Sequence, residues 1–344
     1  MLHRPTITFI VACYNVAPFL EECLQSILDQ SYPHFQVLAI NDGSSDATPM
    51  LIDEFARKDA RIIAIHQSNK GLSATRNIGI QRTDTPWVSF VDGDDFLAPD
   101  YLQKLMDHHE LHDLVACSYH RVFQSTILPR VFKCNGSRDA LWLQRRIIGL
   151  YGNELRDPSQ ADSMVTAWGK LYRTSLIQQH QIAFVSTQLI GTEDALFNIQ
   201  YLENAAQVYI LDQPLYHYRK YNAQSLTNTY KPRLQGQWMH LYELIEPYTE
   251  SKSPEFKIAF HNRIALSLIG LGLNEMLNPA GFWAQYSTLK ALLQKPRYQQ
   301  AYAQLETRYF PVHWRLFFGM AKYRIPLGVL LMLKGIQWMI KKNQ

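Results

Sequence analysis

Cysteine is scarce in this chain of 344 residues, and its four cysteines, Cys13, Cys23, Cys117 and Cys134, form no C-x-x-C pair. That scattering argues against a structural zinc site and for a reducing compartment. Long apolar runs are missing too: the longest uninterrupted one, Ile325 to Leu333, is too short to cross a bilayer. Met1-Leu-His-Arg-Pro offers no apolar segment suited to a signal peptide ahead of the first strand. Internal repeats and low-complexity tracts are absent. No nucleic-acid motif occurs and the formal net charge of +4 is modest, so nucleic acid is not expected as a partner. Acidic residues stop at Glu306, which leaves the carboxyl end with charge of one sign. At this length the chain can hold one sizeable α/β core and a smaller second unit.

What is present is a series of β-rich apolar runs, each closed by a polar cluster. Thr6 to Cys13 reads as a strand that stops at Tyr14-Asn15, and Leu20, Cys23, Leu24, Ile27 and Leu28 then follow at helical spacing. Phe35 to Ile40 reads as a second buried strand, closed by Asn41-Asp42-Gly43-Ser44-Ser45-Asp46, with a helix through Met50, Leu51, Phe55 and Ala56 behind it. Arg61 to His66 is a third strand, leading into Asn69-Lys70-Gly71-Leu72-Ser73-Ala74-Thr75-Arg76-Asn77. Strands alternating with helices predict a mostly parallel, Rossmann-like α/β sheet flanked by helices. A fourth strand, Trp87 to Phe90, runs into Val91-Asp92-Gly93-Asp94-Asp95, which puts three carboxylates at the end of a strand where open α/β sheets bind ligands. In isolation this is an Asp-Gly turn. At a strand end, Asp92 and Asp94 can converge on one Mn²⁺ or Mg²⁺, which keeps positions open for phosphate oxygens.

Val11-Ala-Cys-Tyr-Asn15, Asn41-Asp-Gly-Ser44, Gly71-Leu-Ser-Ala-Thr-Arg-Asn77 and Asp92-Gly-Asp-Asp95 come in the order and spacing of the family 2 glycosyltransferases, inverting enzymes of the GT-A fold. The resemblance is close over about the first 110 residues and thins to a few motifs by about residue 225. It implies a nucleotide-diphospho-sugar transferase fold, a UDP-sugar donor and a divalent metal. Tyr14 resembles the residue that packs beside the base, and Asp42 the carboxylate that accepts from the uracil imide. Arg76, with Lys70 nearby, would sit close to the diphosphate. Asp92 and Gly93 belong to the donor-binding turn, where Asp92 would contact the ribose or the metal indirectly and Asp94 would ligate the metal; Asp95 would support the loop or the donor sugar. Two departures stand out: Ala12 where many relatives have proline, and Thr75 where many have alanine. Neither removes a charge or a ligand.

Inversion requires a base for the acceptor hydroxyl. Ile190-Gly-Thr-Glu193-Asp194 matches the family's Glu-Asp pair before a helix, which makes Asp194 the expected base. Adjacent Glu193 would point elsewhere, since neighbouring helical positions do not share a face. Without the donor motifs, the same acids would read as a helix cap. Ala167-Trp168-Gly-Lys170 resembles an acceptor-side segment, in which Trp168 would offer a flat face to a sugar and Lys170 would steady a phosphate or hydroxyl. Tyr216-His217-Tyr218-Arg219 with Ser225 resembles a loop that closes over the donor, with His217 or Arg219 reaching the diphosphate or the metal.

From Phe256 the pattern is helical, interrupted at Pro279, Pro296, Pro311 and Pro326. Arg308, Arg315, Lys322, Arg324, Lys334, Lys341 and Lys342 alternate there with Trp314, Phe317, Phe318 and Trp338, a composition suited to an anionic membrane surface. The expected organisation is a transferase domain over 1–225, split into a nucleotide-sugar part (1–110) and an acceptor and base part (111–225), followed by a basic helical extension over 226–344. The expected activity is transfer of a hexose or N-acetylhexosamine to a lipid-linked or oligosaccharide acceptor in lipopolysaccharide, lipooligosaccharide or capsule synthesis, at the cytoplasmic face of a bacterial inner membrane. A nucleotidyltransferase would carry a glycine-rich basic loop after its first strand, and Ala12-Cys-Tyr-Asn15 is not one; a noncatalytic sugar-nucleotide-binding protein is the other alternative.

Overall fold

Seven consecutive buried residues make β1 (Ile7–Cys13) the spine of the sheet. A strand covered on both faces needs no polar alternation, which is why the run is continuously apolar apart from Thr8. Thr8 is satisfied inside the core by Thr85, whose hydroxyl lies 2.7 Å away. The computed structural model describes residues 5–221 and 229–342; Ser225 lies outside them. After β1 come α1 (Ala17–Leu28), β2 (Phe35–Asp42), α2 (Thr48–Lys58), β3 (Ile62–Gln67), α3 (Leu72–Arg82) and β4 (Trp87–Asp92). Strands β2 and β4 flank β1 and run parallel to it, and β3 lies parallel outside β2. The second helix turns differently from its expected face: Ile52 and Phe55 are buried, whereas Met50 is exposed.

The sheet continues through β5 (Phe96–Leu97), α4 (Tyr101–Met106), β6 (Leu114–Val122), β7 (Ile127–Arg130), β8 (Gly136–Asp139), α5 (Ala140–Ile148), β9 (Lys170–Arg173), α6 (Thr174–Gln179), α7 (Thr187–Ile190), α8 (Glu193–Glu203) and β10 (Gln207–Arg219). Its spatial order is β3-β2-β1-β4-β9-β6-β10-β5, with β7 on β6 and β8 on β10. Short β9 is antiparallel to both β4 and β6 and joins the parallel amino-terminal half to a second parallel pair, β6 and β10.

Two compact units result, one of residues 1–143 and 165–222, the other of 144–164 and 223–344. The second unit takes in an excursion from the first stretch of chain as well as everything from 223 on. Residues 144–164 group with the carboxyl-terminal helices because of contacts far apart in sequence. Within that unit, a side chain at Gly149 would collide with the Ala259 carbonyl, and Asn262 Nδ2 donates to the Leu150 carbonyl at 2.8 Å. The helices there are α9 (Leu234–Ile245), α10 (Pro247–Glu250), α11 (Pro254–Glu275), α12 (Phe282–Gln294), α13 (Pro296–Gln304), α14 (Val312–Lys322) and α15 (Pro326–Lys342). Helicity thus starts before Phe256. Pro296 and Pro326 open helices and Pro311 precedes one, as the fixed φ of proline favours. Among the described residues no helix is long and apolar enough to cross a membrane.

Candidate active site

The carboxyl ends of β1, β2 and β3 are tied together by side chains acting on backbone. Asp42 is 3% exposed. Its Oδ1 accepts from Lys70 N at 2.8 Å and Gln67 Nε2 at 2.7 Å, and its Oδ2 accepts from Gly71 N at 2.8 Å. Asp42 therefore shapes the loop that opens α3. Thr75, the departure from the expected alanine, joins this network through Gln67 Nε2. Asp46 serves two helix starts, accepting from Ala17 N and Thr48 N, each at 3.0 Å. The ring of Tyr14 is 52% exposed, so it is not a core aromatic. Asn15, at φ 52°, accepts from Ser45 N at 2.8 Å through its side chain. Lys70 is exposed beside them.

The carboxylate turn begins inside β4, since Asp92 is the strand's last residue. Gly93 lies flush against the end of β1: its N–H donates to the Ala12 carbonyl at 3.0 Å, and a Cβ there would stand 3.0 Å from that same oxygen. Asp95 is fully buried, accepting from Tyr216 Oη at 2.7 Å and Arg219 N at 2.8 Å. Burial first, then Asp94 and Asp92, push its carboxyl well above the usual range. It anchors the turn to β10. Tyr216 was not expected in that role; its hydroxyl also receives the Asp92 N–H, at 3.2 Å.

Arg76 stands at the centre. Its guanidinium, 2% exposed, donates through Nη2 to Asp92 Oδ1 at 2.8 Å and through Nη1 to Asp194 Oδ1 at 2.7 Å and Glu193 Oε1 at 3.1 Å. Burial opposes its charge, but the three carboxylates outweigh that and hold it firmly protonated. Arg76 was expected at the diphosphate; here it bridges the donor-side turn to the start of α8. Glu193 was expected to point away from Asp194, yet both reach the same Nη1. Glu193 is the first residue of α8 and carries one more methylene, so its side chain can turn back where a mid-helix neighbour would diverge. Burial, then Asp194, push the Glu193 carboxyl up to about 7, with Arg76 opposing. Asp194 is the more exposed of the two; its Oδ2 accepts from Ala167 N at 2.9 Å. Asn198, four residues on, donates to the Asp194 carbonyl at 2.8 Å and was missed, although its i+4 spacing was a legible signal.

Four residues expected to face substrate are occupied elsewhere. Trp168 is 5% exposed, stacked on Tyr216 at 4.4 Å, so it has no open face for a sugar. Lys170 is 1% exposed and donates to the Thr166 carbonyl; burial, opposed by Asp194, brings its pKa down to about 8. His217 stacks between Phe96 (4.4 Å) and His120 (4.8 Å). Burial, then His120, lower its pKa to about 4, which leaves it neutral at pH 7 and unable to act as a cation for the diphosphate. Arg219 clamps the turn from outside: Nε donates to the Asp94 carbonyl and Nη2 to Glu22 Oε2, both at 2.7 Å, with the guanidinium 4.9 Å from the Phe96 ring centre.

Among the described residues no group of three or more His, Cys, Asp or Glu side chains is placed to hold a metal ion. Asp92, Glu193 and Asp194 share one guanidinium, and burial, opposed by Arg76 and reinforced by Asp94, raises the Asp92 carboxyl. Asp92 and Asp94 are the two carboxylates that the sequence resemblance assigns to a hard cation.

A sheet of this order, with a carboxylate turn at the end of β4, has the architecture of the GT-A fold of glycosyltransferases. The glycosyl transferase family 2 profile matches residues 8–180, and the chain belongs to that family. It is 32% identical to the uncharacterized glycosyltransferase EpsJ of Bacillus subtilis (strain 168) across 76% of this chain and 72% of that protein. It is 28% identical to the putative glycosyltransferase EpsH of the same organism across 94% and 93%. Among solved structures, S. aureus TarS 1–349 in complex with UDP-GlcNAc shares the fold with a TM-score of 0.67 at 19% identity, over 97% of this chain and 92% of that one.

Proposed function

We propose that this chain transfers a hexose or N-acetylhexosamine from a UDP-sugar to a sugar hydroxyl of a bacterial surface glycan, with inversion and in one displacement. The observation that carries the reading is the Arg76 bridge, which puts Asp92 of the donor turn and Asp194 on two arms of one guanidinium, at 2.8 and 2.7 Å. Asp194 acts as base: one oxygen is fixed by Arg76 and Ala167 N–H fixes the other, which leaves remaining lone pairs for the acceptor hydroxyl proton. As that proton moves to Asp194, the acceptor oxygen bonds to the anomeric carbon from the face opposite the diphosphate, and UDP departs with the electrons of the broken bond. Asp94 and Asp92 would hold Mn²⁺ or Mg²⁺, which would supply positive charge to the leaving diphosphate. Tyr14 stacks on the base and Lys70 lies beside the phosphates. Support for uridine comes from the UDP-GlcNAc complex of TarS.

The test is UDP release from a panel of UDP-sugars, with Mn²⁺ or EDTA, for wild type, Asp94→Ala and Asp194→Ala. Turnover of one donor is expected, dependent on metal and about 10²- to 10⁴-fold lower in Asp194→Ala. No release with any donor, together with no UDP binding, would sink the reading.

The acceptor reaches the enzyme at an anionic membrane. Val312, Leu316 and Tyr323 of the α14 segment, and Leu327, Leu331 and Trp338 of α15, are exposed at helical spacing, with Lys322, Arg324 and Lys334 between them. Cosedimentation with phosphatidylglycerol vesicles but not phosphatidylcholine vesicles is expected. Equal recovery with both contradicts this part of the proposal.

A further inference from the structure

Past Trp168, one face of the sheet carries positive charge that the reaction above does not use. Along β10, Tyr216, Tyr218 and Lys220 occupy alternate positions and leave by the same face; Lys220 N extends the pairing by donating to the Val122 carbonyl at 2.8 Å. Parallel register sets Tyr216 beside Tyr119 and Tyr218 beside Arg121, while β7 sets Arg130 beside Tyr119. Trp168 lies against three of these rings, 4.4 Å from Tyr216, 4.8 Å from Tyr119 and 5.2 Å from Tyr218. An aromatic floor thus starts next to Ala167, whose N–H holds Asp194, and ends at three cations.

Those cations crowd one another. Lys220 Nζ sits 4.7 Å over the Tyr218 ring, and both Lys220 and Arg121 are half-buried. The buried Nε of Arg121 has no hydrogen-bond partner. Burial, then Arg121, lower the pKa of Lys220; burial, then Arg130, lower that of Arg121. Asp95, the acid that favours the Lys220 charge, is already engaged by Tyr216 and Arg219. Like charges held together at partly desolvated positions, with an orphan N–H, are relieved by an anion.

We propose that Arg121 and Lys220 form a subsite for an anionic group of the acceptor, a phosphate monoester or diester or a sugar carboxylate. The guanidinium fork suits either oxyanion. The proposal rests on the transferase reading and narrows its acceptor to negatively charged glycans.

The experiment titrates the full chain, saturated with UDP to fill the donor site, with glycerol 1-phosphate, glucuronate and glycerol, read by ligand-observed NMR. Binding of at least one anion is expected, with glycerol silent. Glycerol 1-phosphate alone marks a phosphate-bearing acceptor, and glucuronate alone marks an acidic sugar. The double variant Arg121→Gln/Lys220→Gln should weaken anion binding at least tenfold at unchanged UDP affinity, while Arg121→Lys, which keeps the charge, should retain most of it. Anion binding equal in wild type and double variant, or absent from wild type at millimolar concentration, overturns the proposal. If UDP itself does not bind, the transferase reading falls, and the same titrations without UDP still decide whether Arg121 and Lys220 hold an anion.

Discussion

The half of the sheet built on β1 to β4 and the half built on β6, β9 and β10 use their polar residues in opposite ways. In the first, polar side chains gather where strands end: Tyr14 and Lys70 stay exposed, and buried Asp42 and half-buried Asp46 act on backbone N–H groups that position the loops. In the second, Trp168, Lys170 and Arg219 lie in or beside the strands and are at most 5% exposed. Residue type indicates ligand chemistry where the chain has run out of sheet. Inside the sheet, the same types are satisfied by neighbouring rings, carbonyls and carboxylates.

The sharpest test of that contrast is Arg76, which belongs to the first half yet is buried like the second. Arg76→Ala leaves three carboxylates facing one another and is expected to cost about 3–5 kcal/mol in urea unfolding, or to prevent folding. If it unfolds at the wild-type midpoint, the bridge is not what holds the site together. Next comes the pair Trp168→Ala and Tyr14→Ala. Removing Trp168 should cost about 3–5 kcal/mol of stability and leave UDP affinity in the folded protein unchanged. Removing Tyr14 should leave stability unchanged and weaken UDP by about 0.5–1.5 kcal/mol, up to about tenfold. Calorimetry and thermal unfolding of both variants decide it, and exchange of the two phenotypes would break the comparison.

The smallest effect concerns pH. Glu193 has its folded pKa raised to about 7 from 4.5, so between those values the native state holds a proton the unfolded chain has lost. Its contribution is therefore full at acid pH and declines as pH rises through 7. Glu193→Gln should flatten the fall in stability between pH 5 and 7.5, measured by unfolding at each pH. A slope identical to wild type would refute the shift.

The first four strands, and the clusters that close them, were legible because buried parallel strands are uninterrupted apolar runs and their ends are not. β9 was not, since Lys170 and Arg173 in four residues give no apolar period; its place is set by pairing with β4 and β6. The approach of Glu193 and Asp194 was hidden by a rule for helix interiors that does not govern a first turn. The return of 144–164 to the carboxyl-terminal unit depends on Gly149 meeting Ala259, a contact across more than a hundred residues that no local pattern announces.

Gly79, one turn beyond Arg76 on α3, has a further consequence. A methyl group there would lie 2.4 Å from Ile10 Cγ2, in the middle of β1. Helix and sheet are therefore as near as two backbones separated by one isoleucine can come, and the standoff between them is a fixed length. The guanidinium is carried by the helix and Asp92 by the sheet, so that length also sets the alignment of the charges. Alanine at 79 must either displace Ile10 or lift α3, and a lifted α3 would draw Arg76 off its partners. The tolerance of the reaction centre is in this sense machined into the core, at a position that never meets a substrate.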